Sequence, residues 1–334
     1  MMNDTVRITL SELEAGKVQS NGAMTVLPLF DPTPRTLTYI TLGQALAAGK
    51  FRITEISEGG SVPELMAINL GDKHVLLLDS EEVAGAKQNR VFNSSILVAA
   101  KSKIRIPVSC TEQGRWGYAR RDFRPSGHVM MSRARANKKA HVSASLRMAC
   151  SFAGNQSSVW EDVQETHYDL GTTSRTGAMT DAFDARKHDI EGLAGGFKPR
   201  EWQSGVIVSV DGRLVGFDYV SDSKAFVEIY PKLMRSYAME SLLSSRPGPA
   251  RSTKRQHNML DQVRALLDSP ESATESLHKS VGLGKDYRYS SSHVVGSALI
   301  HEDEIAHMAF LPLDGGSSRR DDDPMRNFRR RRFT

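Results

Sequence analysis

Apolar and polar side chains alternate through much of the first third of the chain. Met24-Thr-Val-Leu-Pro-Leu-Phe is a β-rich apolar run that stops at the breaker cluster Asp31-Pro-Thr-Pro. It follows a short leading element from Ile8 to Lys17. Thr38 to Ile40 is a further strand candidate. Thr41-Leu-Gly-Gln-Ala-Leu-Ala-Ala-Gly begins on an N-cap threonine and ends on Gly49, which predicts a short helix. Phe51 to Ile56 and Leu65 to Leu70 alternate with period two, and Val75 to Leu78 is continuously apolar. Ser95 to Ala100 and Lys103 to Cys110 complete a series of closely spaced strands, a rhythm that suits antiparallel sheet better than alternating strands and helices.

After Cys110 the chain is polar with few aliphatics to about Ser145, which reads as irregular. Val159 to Val163 and the charged stretch from Asp181 to Ile190 have helical spacing. Trp202 to Val220 forms a hairpin about Asp211-Gly212, and Lys224 to Leu243 carries apolar residues at helical intervals. Met259 to Leu267 is a further helix, and Val294 to Ile300 and Ile305 to Leu311 form a last hairpin across Glu302-Asp-Glu. The expected fold class is therefore α+β, a largely antiparallel sheet or sandwich with helices packed on it. A single domain spans 1–314, with a flexible link at 246–256 on composition, and the Arg-rich segment 315–334 is expected to be a disordered tail.

Composition changes this picture only where charge is concerned. With 39% hydrophobic and 25% charged residues the chain is ordinary globular material. It has no apolar run near the roughly 18 residues of a spanning helix, and Met1 to Leu13 lacks the pattern of a secretory leader. Two cysteines, Cys110 and Cys150, make no disulfide framework, so a cytoplasmic setting is expected. The net charge of +5 is uneven: 101–147 holds twelve Lys/Arg against Glu112 and Asp122, and 319–334 holds seven Arg against three Asp. Such segments suit an anionic partner, a nucleotide phosphate or a nucleic-acid backbone, or else a solvated surface.

Two polar strings carry the candidate chemistry. Glu81-Glu-Val-Ala-Gly-Ala-Lys-Gln-Asn-Arg-Val-Phe-Asn-Ser-Ser lies between core strands and places Glu82, Lys87, Gln88, Asn89, Arg90 and Asn93 where many donors and acceptors need partners. Ser109-Cys-Thr-Glu-Gln-Gly-Arg-Trp-Gly-Tyr adds Glu112, Gln113, Arg115 for an oxyanion, and Trp116 and Tyr118 for a base. Antiparallel neighbours would bring the strings together as a nucleotide site. Glu82 and Glu112 are the acid and base candidates, because paired carboxyls can separate their pKa values; the alternative is that each pairs with Lys87, Arg90 or Arg115. No metal is assigned: His301 and His307 are six apart where one helical face needs four. Cys110 has no histidine in its string and reads as a structural thiol. No Gly-x-Ser-x-Gly elbow, phosphate loop or dinucleotide fingerprint occurs.

These strings, with Tyr230-Pro-Lys-Leu-Met-Arg-Ser-Tyr-Ala-Met-Glu-Ser-Leu, resemble a prokaryotic domain family associated with ADP-ribosylglycohydrolases and rhodanese-phosphatase-superfamily proteins, over about Thr25 to Leu313. The resemblance implies binding and hydrolysis of an NAD-derived or ADP-ribosyl nucleotide, in a setting of conflict with phages. The basic stretch Arg120 to Arg147 and the tail are not part of that pattern. The rival expectation is a non-catalytic nucleic-acid-binding or scaffold protein that uses 101–147 and 319–334. No membrane partner is expected, a homo-oligomer is left open, and no cofactor is assigned.

Overall fold

In the computed structural model the structure describes residues 2–244 and 273–313. The link at 246–256, the helix expected over Met259 to Leu267 and the tail 315–334 lie outside the described residues.

The chain starts with helix α1 (Asp4–Glu12) and strands β1 (Glu14–Ala15), β2 (Gln19–Asn21), β3 (Met24–Phe30) and β4 (Tyr39–Thr41). Helix α2 (Leu42–Ala47) follows with the expected cap: Thr41 and Gln44 exchange side-chain and backbone hydrogen bonds in a capping box. A strand-rich run comes next, with β5 (Phe51–Thr54), β6 (Glu64–Asn69), β7 (His74–Leu77), β8 (Glu81–Gly85), β9 (Arg90–Phe92), β10 (Ile96–Val98), β11 (Ser102–Cys110) and β12 (Phe123–Val129). Four helices, α3 (Ser132–Ala149), α4 (Gln156–Leu170), α5 (Met179–Ala185) and α6 (Lys187–Ala194), precede the hairpin β13 (Gln203–Val210) and β14 (Arg213–Val220). Helix α7 (Ser223–Ser244) and strands β15 (Thr274–Lys279), β16 (Lys285–Ser290), β17 (Val294–His301) and β18 (Glu304–Pro312) complete the described fold.

The fold is α+β with largely antiparallel sheets. One sheet has the order β1-β3-β13-β14-β18-β17-β16-β15, with β2 also on β3. A second has the order β12-β8-β9-β11-β6-β5, and a small third is β10-β7-β4. Only β4 and β7 pair in parallel among the described strands. The β13/β14 hairpin turns at Asp211 and Gly212, both at positive φ (49° and 74°), the geometry that the Asp-Gly pair favours. One apolar cluster joins the sheets through Val26, Leu76, Val91, Val206 and the inner face of α7, including Phe226 and Leu233.

Two sequence expectations are corrected. The stretch read as irregular to about Ser145 contains β12 and the eighteen-residue helix α3. The helix was hidden because three of its buried positions are charged: Arg135, Lys138 and Lys139 are fully buried beside Ala134, Ala136, Val142 and Leu146. The string 81–95, read as a segment between strands, supplies β8 and β9, whose buried polar residues erase the alternation.

Each buried cation of α3 has a carboxylate. Asp79 takes both Lys138 (2.6 Å) and Lys139, while Arg135 grips Asp218 through two nitrogens (2.5 and 3.0 Å). Tyr237 donates to Asp218, and Arg288 pairs with Asp286 (2.5 Å). Burial alone would raise the Asp79 pKa, but Lys138, Lys139 and Arg288 hold it well below the usual carboxylate range. Three of the twelve basic residues of 101–147 are thus neutralised inside the protein, and a nucleic-acid face on this stretch loses them.

Asp79→Asn would leave two buried ammonium groups on a neutral amide, so we expect it to lower unfolding stability by about 3–5 kcal/mol. Urea denaturation measures this directly. A loss under about 1 kcal/mol, within the range of ordinary surface changes, would show that the cluster does not anchor α3.

Candidate active site

The two polar strings are neighbours in the six-stranded sheet. β8 and β9 form a tight hairpin with Glu82 opposite Val91 and Val83 opposite Arg90, and β11 lies along β9 with Ser109 opposite Val91 and Cys110 opposite Arg90. Because side chains alternate across a strand, Glu82 and Ser109 project from one face and Arg90 and Cys110 from the other. The connection 86–89 and the segment 111–118 meet at the end of this hairpin.

On the first face Glu82 is fully buried. Thr111 Oγ1 donates to its Oε1 (2.6 Å) and Thr180 Oγ1, from α5, to its Oε2 (3.0 Å). Among the described residues no cation forms an ion pair with it. Burial therefore pushes its pKa from the ordinary 4.5 up to about 7, against the pull of the Thr111, Ser126 and Thr180 hydroxyls and with a further push from Glu112.

Glu112 has the opposite surroundings. Arg115 holds it with two nitrogens, Nε to Oε1 (2.8 Å) and Nη2 to Oε2 (2.6 Å), and Thr176 Oγ1 and the Asn89 amide N–H also donate to it (2.9 and 3.2 Å). Burial would raise its pKa, but these donors, Arg115 foremost, hold it below the usual range. Backbone bonds fix the segment: Gly114 N–H donates to Thr176 C=O (2.7 Å) and Met179 N–H to Thr111 C=O (2.9 Å).

Asn89 connects the two carboxyls. Its backbone binds Glu112, its Nδ2 donates to Thr180 Oγ1 (3.1 Å), which in turn donates to Glu82, and its Oδ1 accepts from Arg115 Nη2 (3.2 Å). Arg115 also donates through Nη1 to Ala86 C=O (2.8 Å) and Gly117 C=O (2.9 Å), so its nitrogens are taken up within the protein.

On the other face Arg90 is fully buried, and Trp116, half exposed, lies over its guanidinium (5.8 Å to the ring centroid). Lys87 Nζ sits over both Trp116 (5.3 Å) and Tyr118 (5.2 Å) and donates to Gly59 C=O (2.7 Å). Gln88 Oε1 accepts from Arg90 Nη1 (3.1 Å), and its Nε2 donates to Gln113 C=O (3.4 Å). The Gln113 side chain is turned outward to Gln164 (2.8 Å). Asn93 stands apart, donating to Phe152 C=O (2.9 Å) and accepting from Ser109 Oγ (2.8 Å). Cys110 is buried and its thiol is pushed up to about 11, so it stays protonated at neutral pH.

Sequence reasoning missed Thr111, Thr176 and Thr180, which complete the carboxyl cluster. A threonine carries no signature of its own, and the sequence reading began the α5 helix only at Asp181. The Tyr230 motif has a role as well: Lys232 pairs with Glu81 beside Glu82, and Ser236 donates to Met130 C=O. Among the described residues no group of three or more His, Cys, Asp or Glu is placed to hold a metal ion, and no helix is long and apolar enough to cross a membrane.

These elements define an antiparallel-sheet protein with a buried, electrostatically divided carboxyl pair at a hairpin end. Residues 12–311 match the family model of the ARG and Rhodanese-Phosphatase-superfamily-associated Protein domain, and the chain belongs to that family. No curated protein and no solved structure was found to match it.

A carboxyl whose pKa is higher in the folded state than in the unfolded chain stabilises the fold most below the unfolded value, and that contribution is lost as pH rises. For Glu82 the loss falls between pH 4.5 and about 7. Glu82→Gln stays neutral throughout, so its stability relative to wild type should rise across that window and level off above it. Urea melts at pH 5, 6, 7 and 8 test this; a difference independent of pH would show that Glu82 titrates normally.

Proposed function

We propose that the chain binds an ADP-ribosyl or other NAD-derived nucleotide at the hairpin end and hydrolyses it, with Glu82 as acid and Glu112 as its ionised counterpart. The observation that carries this reading is the opposite displacement of two carboxyls joined through Asn89 and Thr180. A neutral carboxylic acid beside a carboxylate is the division of labour that cleavage of a glycosidic bond requires. Glu82 gives its proton to the departing group as its bond to carbon breaks. Water supplies hydroxide to that carbon, and its remaining proton passes to Glu112.

Lys87, Gln88, Asn89, Arg90, Asn93, Gln113, Arg115 and Trp116 remain the proposed binding set, in distinct roles. Arg115 and Asn89 position the frame, Lys87, Gln88, Arg90 and Trp116 surround the ligand, Gln113 acts through its C=O on Gln88, and Asn93 supports the sheet through Ser109 and Phe152. The family's association with ADP-ribosylglycohydrolases supports the substrate class; a cytoplasmic place in conflict with phages is the setting we propose for it. The nucleic-acid alternative has less support, since Arg135, Lys138 and Lys139 are buried in ion pairs.

The test combines calorimetry with ADP-ribose, NAD and ATP with chromatographic assay of their hydrolysis. We expect binding of an ADP-ribosyl compound, and Glu82→Gln should abolish turnover while keeping affinity within about tenfold. Glu112→Gln should also abolish turnover, with a loss of stability from the broken Arg115 pair. Absence of heat from all three nucleotides at millimolar concentration would overturn the binding reading. A folded Glu82→Gln protein with full activity would overturn the catalytic one.

A further inference from the structure

Arg90 poses a problem that the carboxyl cluster does not solve. Its guanidinium is fully buried, yet among the described residues no carboxylate forms an ion pair with it. Nη1 donates to Gln88 Oε1 (3.1 Å) and Asn89 C=O (3.4 Å), while Nε and Nη2 have no hydrogen-bond partner among the described residues. Those two atoms share one edge of the planar group, and their N–H bonds run side by side. That edge grips two oxygens of one oxyanion. A buried charge with idle donors is costly, which makes the vacancy informative.

The groups around the edge leave it without an anion. Cys110, directly opposite on β11, is protonated. Burial lowers the Arg90 pKa and Arg115 opposes its charge, with Glu55 and Glu112 favouring it only in part. Glu112 is occupied by Arg115, and Glu55 takes the Lys87 amide N–H on Oε1 (3.4 Å) while its Oε2 is also unpartnered. Above lies Trp116, 49% exposed although it is a large aromatic, with Lys87 against the same ring. Gly60, at φ +77°, permits this arrangement, because a Cβ there would come within 3.0 Å of Lys87 and 3.4 Å of Trp116.

We propose that the Nε/Nη2 edge of Arg90 is a phosphoryl-binding subsite roofed by Trp116, with Lys87 as its second cation. Two cations on one ring, neither in an ion pair among the described residues, suit the higher charge of a phosphate or diphosphate better than a carboxylate. Trp116 moves aside to admit the anion and then stacks on the ligand's base. This deepens the nucleotide reading by assigning the part of the ligand that lands at Arg90, and it does not depend on the hydrolytic step.

The probe is inorganic pyrophosphate, titrated into the full chain by calorimetry and, in a Trp160→Phe/Trp202→Phe background, by the fluorescence of Trp116. We expect saturable heat and a saturable change in Trp116 emission, with acetate inert at matched ionic strength. Arg90→Lys, which keeps the charge but loses the fork, should weaken binding by about tenfold or more. Arg90→Met should abolish it, and Trp116→Phe should still bind by calorimetry. Wild-type calorimetry keeps the proposal falsifiable even where an Arg90 variant fails to fold.

No saturable heat in the wild type, or an Arg90→Lys protein that binds as well as wild type, would overturn the proposal. Acetate acting like pyrophosphate would overturn the phosphoryl assignment in favour of a carboxylate site. Equal loss of melting temperature in Glu55→Gln and Arg90→Met with no pyrophosphate heat would show instead an internal Glu55–Arg90 pair bridged by water. Glu82→Gln should bind pyrophosphate like wild type. Pyrophosphate binding without any nucleotide hydrolysis would therefore defeat the catalytic reading and leave the subsite standing.

Discussion

Asp79 is the point at which the sheets, helix α3 and the candidate site are tied together. It follows β7, and consecutive lysines of α3 converge on its two oxygens. The same ammonium groups reach further: Lys138 donates to Phe92 C=O in β9 (2.8 Å) and Lys139 to Ser297 Oγ in β17 (2.7 Å). One carboxylate thus links the six-stranded sheet, the long helix and the large sheet in a region that excludes water. Two cations on one anion are tolerable there because each ammonium finds a second acceptor, and because removal of the anion would leave both uncompensated.

The position of the carboxyl pair follows from this anchor. Ser80, between Asp79 and β8, adopts a left-handed backbone (φ 66°) and donates its hydroxyl to Asp79 (3.1 Å). Its N–H binds Phe92 C=O (3.0 Å), and its own C=O accepts from Met130 N–H (3.1 Å). These bonds set where β8 begins, and with it that Glu81 faces Lys232 while Glu82 faces Thr111 and Thr180. A buried carboxyl with hydroxyl partners, and with no ion pair among the described residues, has its pKa raised by its position in the sheet, without any special local motif.

Much of the scaffold was legible in the sequence because each of those elements repeats a simple pattern. Thr41 and Gln44 cap α2, Asp211-Gly212 turns β13 into β14, and two apolar runs from Val294 to Leu311 flank the polar turn at Glu302-Asp303. The candidate site was legible only as an inventory. Glu82, Asn89, Glu112 and Arg115 are indeed joined, but which carboxyl takes the arginine depends on side-chain geometry at the end of β11. Helix α3 was illegible for the opposite reason. Its inward face mixes Arg135, Lys138 and Lys139 with alanines, so a pattern that normally marks a solvated surface here marks the interior. A long-range ion pair leaves no trace in local periodicity.

The register of the β8/β9 hairpin explains why a buried carboxyl and a buried guanidinium on neighbouring strands form no ion pair with each other. Glu82 stands opposite Val91 and Arg90 opposite Val83, which places the carboxyl and the guanidinium on opposite faces. A slip of one residue would put Glu82 opposite Arg90 on one face, where the two charges could neutralise each other. Three contacts resist that slip: Val91 packs in the cluster shared with α7, Val83 packs in the cluster shared with Phe92 and Phe123, and Asn89 Oδ1 accepts from Gly85 N–H (3.3 Å). Packing of the two valines therefore sustains a separation of charge that electrostatics alone would remove. The proposed ligand, with an anionic group for Arg90 and a reactive bond for Glu82, would have to reach both faces at the hairpin end.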